Sequence, residues 1–138
     1  MSHSIHIDAN VILRFLRNDD PKQSPQAARL FQRAQVDESL QLIVSTVTIM
    51  EAFYVLVRPY KMARKDAAQL MRDLLGTGVL TCPEGAVVLD ALSRITSQKD
   101  SFGDAYLAAT AARDAEATVA SFDQGLAQFD DISLHQWK

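Results

Sequence analysis

Apolar residues change rhythm repeatedly along the chain, from short β-branched runs to helical spacing and back. Ser4 to Asp8 reads as a first strand, and Asn10 to Arg17 as a helix stopped by Asn18-Asp19-Asp20-Pro21. Either Asp20-Pro21 or Ser24-Pro25 opens the next helix, whose Ala27, Leu30, Phe31 and Ala34 form one apolar stripe. Leu40 to Ser45 is nearly continuous in apolar residues, as expected of a strand buried on both faces. Thr46 to Arg58 is apolar almost all round and reads as a buried helix closed by Pro59, although its Val, Thr and Tyr content also suits a strand.

The stripe Ala67, Leu70, Met71, Leu74 and Leu75 predicts a further helix, ended by Gly76-Thr77-Gly78 before a brief strand at Val79-Leu80-Thr81. Helices over Glu84 to Ser97 and Phe102 to Ala115 follow. A strand at Thr118 to Ser121, a helical turn or two from Asp123 to Gln128 and a last strand at Ile132 to His135 complete the chain. Strands alternating with amphipathic helices predict an α/β fold, a three-layer α/β/α sandwich with a central parallel sheet of four to five short strands. Residues 1–138 read as a single domain.

Composition narrows the function classes. The longest apolar run, Ala52 to Val57, is far short of the roughly 20 residues of a membrane helix. The start lacks the basic and apolar regions of a signal peptide, and one cysteine, Cys82, allows no intrachain disulfide, so a cytoplasmic protein is expected. The net charge of −3 gives no overall nucleic-acid footprint, yet a basic rim around an acidic centre would give the same sum.

Four carboxylates stand where a parallel α/β sheet places its ligands, beyond the carboxyl ends of the strands. Asp8 ends the first strand, Asp123 follows the fourth, Asp104 lies in the first turn of the Ala-rich helix, and Glu51 interrupts the most apolar helix. Each aspartate alone is explained by helix capping. Glu51 is not, because its neighbours Ile49, Met50, Ala52 and Phe53 leave little solvent-facing surface, and an ion pair with Arg14 or Arg58 is the alternative. Were all four to converge, each close pair would repel by up to about 4 kcal/mol at about 4 Å in an effective dielectric near 20. A hard divalent cation, Mg²⁺ or Mn²⁺, would relieve that repulsion.

These residues carry a resemblance. Asp8-Ala9-Asn10-Val11-Ile12-Leu13-Arg14-Phe15-Leu16, the helix bearing Glu51, Phe102-Gly103-Asp104-Ala105-Tyr106-Leu107-Ala108-Ala109 and Ser121-Phe122-Asp123 occur in the order found in PIN-domain ribonucleases. Together they resemble the toxins of type II toxin–antitoxin pairs. The resemblance implies that Asp8, Glu51, Asp104 and Asp123 hold Mg²⁺ or Mn²⁺ and are catalytic, with Asn10 and Ser121 hydrogen-bonding the acidic group. It also implies RNA cleavage to a 3′-hydroxyl and a 5′-phosphate, a homodimer, and silencing by a small antitoxin. One departure stands out: the second acid often found before the Phe of the third motif is Ser101 here, with Asp100 one step earlier.

Arg58, Lys61, Arg64 and Lys65 around Pro59-Tyr60, with Arg14 and Arg17 past Asp8, are candidates to hold RNA phosphates; a solvated connection explains the first cluster equally well. Trp137 reads as a packing anchor in preference to a base-stacking platform. A receiver domain would need an acidic pair after the first strand and a late Lys. An aspartyl phosphatase would need Asp where Asn10 stands, and dinucleotide binding would need a Gly-rich first turn. The rival from another class is a PIN-like binding module acting mainly through a protein partner.

Overall fold

The computed structural model describes residues 2–137. Its elements run β1 (His3–His6), α1 (Ala9–Arg17), α2 (Gln23–Val36), β2 (Leu40–Ile43), α3 (Thr46–Val57), α4 (Arg64–Gly76), β3 (Leu80–Thr81), α5 (Gly85–Ser93), α6 (Phe102–Ala111), β4 (Thr118–Val119), a 3₁₀ turn over Gln124–Gln128, and β5 (Ser133–Leu134). Thr46 to Val57 is helical. Its buried residues Ile49, Ala52, Phe53 and Leu56 recur at spacings of three and four, and Ser45 caps it by accepting from the Thr48 amide.

The local chemistry of the termini explains several boundaries. Asn18 closes α1 in the left-handed conformation, and its amide donates to the Arg14 carbonyl. Asp20 opens α2 from upstream: its carboxylate accepts from the amides of Lys22 and Gln23, while buried Ser24 Oγ accepts from the Asp20 amide. α5 stops at Ser93 rather than Ser97 because the buried Asp100 carboxylate takes the amides of Thr96 and Ser97, at 2.8 and 2.9 Å. α6 stops at Ala111 rather than Ala115, where the amides of Arg113 and Asp114 tighten into bonds with the carbonyls of Thr110 and Ala111.

The architecture is a three-layer α/β/α fold, and every strand pairing is parallel. The strands divide between two sheets. One has the order β1-β2-β3, registered by Ile5 opposite Leu42 and Leu42 opposite Leu80; the other pairs β4 with β5 through Thr118 opposite Ser133. The main core centres on Ile12, Leu42, Ile49, Phe53, Leu56 and Phe102, all fully buried. A separate cluster of Ala108, Val119 and Leu126 seats the β4–β5 unit on α6. Arg94, after α5, ties the same unit down by pairing with Asp131 and Asp90 and lying 5.4 Å from the centre of the Phe129 ring.

Candidate active site

Asp8 is the N-cap of α1, two residues beyond β1, and its carboxylate accepts from the Val11 amide at 3.1 Å. Asp123 caps the 3₁₀ turn after β4, accepting from the Gly125 amide at 2.9 Å, while Ser121 Oγ accepts from the Asp123 amide at 2.9 Å. For both aspartates the cap anticipated from the sequence is present. Asp104 differs: Ser101 Oγ takes the Asp104 amide and so caps α6, which leaves the half-buried Asp104 carboxylate out of the cap.

Glu51 overturns the expectation of burial. It is exposed on α3, opposite the stripe of Ile49, Ala52, Phe53 and Leu56, on the same face as exposed Val47 and Arg58. The ion pair with Arg14 or Arg58 is not formed either. Among the described residues the ion pairs join Arg14 to Asp19, Arg94 to Asp90 and Asp131, and Arg113 to Asp90.

Among the described residues no three Asp, Glu, His or Cys side chains are placed as a site for one ion. Asp8, Asp104 and Asp123, at the starts of α1, α6 and the 3₁₀ turn, are hard oxygen donors of the kind a divalent cation takes. Asp8 follows β1 and Asp123 follows β4, strands of different sheets. Asn10 lines a cleft of about 300 Å³ between α1 and α2, with Arg14, Gln23 and Leu30.

Asp100 has a structural task. It is only 3% exposed; burial opposes its charge, but the amides of Thr96 and Ser97 and further hydrogen bonds hold its carboxyl below the usual aspartate range. It closes the loop before α6.

Sequence reasoning overlooked Glu84. It follows β3 as Asp8 follows β1, and its carboxylate accepts from Thr46 Oγ1 and from the Tyr106 hydroxyl, both at 2.6 Å. These bonds lower its pKa, and the same carboxylate raises that of Tyr106. Position after a strand was the available signal. Glu84 thus joins the start of α3 to α6 just beyond β3, and Tyr106 stands two residues past Asp104.

The basic candidates are organised by aromatic rings. Arg17 lies 4.7 Å from the centre of the Tyr60 ring, and Arg58 and Arg64 lie 5.3 and 5.9 Å from that of Tyr54. Asp19 links Arg14 to this group, pairing with it at 3.6 Å and accepting from the Tyr60 hydroxyl at 2.9 Å. Lys61 is exposed in the turn after α3, in the left-handed backbone region at φ 56°.

The chain is thus a parallel α/β/α fold with aspartates at the starts of α1, α6 and the 3₁₀ turn. A family model for the PIN domain matches residues 5–132, and the chain belongs to that family. PIN domains are generally nucleases that use divalent metals such as Mg²⁺. No curated protein matches the chain at a significant level. Among the described residues no helix is long and apolar enough to cross a membrane.

Proposed function

We propose that this chain is a Mg²⁺- or Mn²⁺-dependent endoribonuclease, the toxin of a toxin–antitoxin pair, working in the cytoplasm as a homodimer restrained by a small antitoxin. Its membership of the PIN family over residues 5–132 carries this reading. Local support comes from Asp8 and Asp104 at the starts of α1 and α6, the second with its carboxylate uncommitted to a cap. In this chemistry a divalent cation supplies the activated water and neutralises charge on the phosphate. The chain's own part is to hold RNA: Arg17, Arg58 and Arg64, each set against the ring of Tyr60 or Tyr54, offer an arginine strip for phosphate contacts, with Arg14 and Lys61 as further candidates.

The reading requires Asp8, Glu51, Asp104 and Asp123 to hold the cation between them. Glu51, exposed and in none of the described ion pairs, favours a second reading, a PIN-like module that acts through a protein partner.

Asp8→Asn separates the two, because Asn also caps a helix and the fold should survive. Cleavage of RNA by the wild type with Mg²⁺ or Mn²⁺, reduced by roughly two orders of magnitude or more in Asp8→Asn and in Asp104→Asn, is the expected outcome. A folded wild type that cuts no RNA with either ion would favour the binding module.

A further inference from the structure

Trp137 is not the packing anchor its sequence position suggested. It is 53% exposed and stacks on Phe122, itself 82% exposed, with ring centres 4.5 Å apart and planes 15° from parallel. Solvent-exposed aromatics in parallel stack are costly to display, since each could bury roughly 150–250 Å². This stack is braced. Trp137 Nε1–H donates to the Ser121 carbonyl at 3.2 Å, and the His135 ring meets Trp137 edge-on at 4.8 Å. His135 is fixed in turn by its amide, which donates to the Val119 carbonyl of β4.

Phe122 therefore has one face supported and much of its surface open to solvent. It also sits between Ser121 and Asp123, two residues of the candidate active site. Area argues about the occupant. Two aromatic side chains cover far less than the roughly 800 Å² per partner of a stable protein interface, so a second copy of the chain is a poor match. A third flat ring laid on Phe122 is a good one.

We propose that Phe122, backed by Trp137, is a stacking platform for an unpaired nucleobase of a single-stranded RNA segment entering beside Asp123. This rests on the ribonuclease reading for the identity of the strand, while the platform itself needs no metal. Stacking of this kind tolerates any base but discriminates against duplex, whose bases already stack on one another. No cation belongs to the platform, so its contribution responds weakly to salt, in contrast to the arginine strip.

Trp137 is the sole tryptophan, so intrinsic fluorescence reports on the platform. The test is titration with a short single-stranded oligoadenylate in EDTA, where cleavage does not interfere. The expected result is a change in Trp137 fluorescence on binding, about tenfold weaker binding in Phe122→Leu, near wild-type binding in Phe122→Tyr, and weaker binding of a duplex of the same length. Unchanged fluorescence, or equal affinity in Phe122→Leu, overturns the platform. So does a fall in the mass of the protein on Phe122→Leu by sedimentation, which would make the patch a protein contact. Cleavage with Mn²⁺ is scored separately: a protein that binds through Phe122 but never cuts refutes the nuclease and leaves the platform standing.

Discussion

The part of the molecule from β1 to α6 and the unit formed by β4, the 3₁₀ turn and β5 are built from the same kinds of residue but held in different ways. The first encloses Phe53, Phe102, Met71, Leu92 and a ring of aliphatic side chains, all essentially inaccessible to solvent. The second has three buried residues, Ala108, Val119 and Leu126, one of them lent by α6, with Phe129, Ile132 and Leu134 only half-covered. What the smaller unit lacks in apolar contact it makes up in part through Arg94. Local opening is cheapest where buried apolar contact is least, so the unit carrying Ser121, Phe122 and Asp123 should open at lower free energy than the rest.

Truncation of the larger core should have the greatest effect. Phe53→Ala removes a ring in contact with Tyr54 and Phe102 and should cost about 3–5 kcal/mol, a fall in Tm of roughly 10–20 °C by calorimetry. A fall of only a few degrees would mean that the main core is looser than its burial indicates. Arg94→Ala comes next. It strips the ion pairs to Asp131 and Asp90 and the contact with Phe129, and should cost on the order of 1–2 kcal/mol, concentrated in the smaller unit. Hydrogen exchange distinguishes the regions: the amides of Ser133 and His135, bonded to Ala117 and Val119, should exchange faster while those of β2 stay protected. Equal acceleration everywhere would show one cooperative unit and erase the contrast.

Much of this division was hidden in the sequence for physical reasons. The strands, their parallel direction and the α/β/α class follow from hydrophobic rhythm, which is local; the boundaries at Ser93 and Ala111 depend on Asp100 and on tight turns that the rhythm does not register. How five strands partition into sheets depends on edge pairing across the whole chain, and two-residue strands such as β4 carry almost no register information. Of the candidate site, Asp8, Asp104 and Asp123 were legible because strand ends and helix starts are marked locally. Glu51 was misread. The total apolar content of α3 suggested burial, whereas the stripe at spacings of three and four assigns Glu51 to the solvent face.

The smallest expected effect on stability belongs to that residue, and it bears on whether the two regions ever join. As arranged here Glu51 is exposed and belongs to none of the described ion pairs, so Glu51→Gln in metal-free protein should move Tm by less than about 2 °C. If Glu51 instead spends much of its time beside Asp8, Asp104 and Asp123 without a cation, removing its charge would relieve repulsion. Tm would then rise, and the rise would shrink with salt as screening takes over. The same titration repeated with Mn²⁺ sharpens the contrast: a gathered site gives the wild type a metal-dependent gain in Tm that Glu51→Gln reduces, because an ion bound only by the folded state stabilises it in proportion to its affinity. Carboxylates that remain dispersed give both proteins the same Tm with and without the ion.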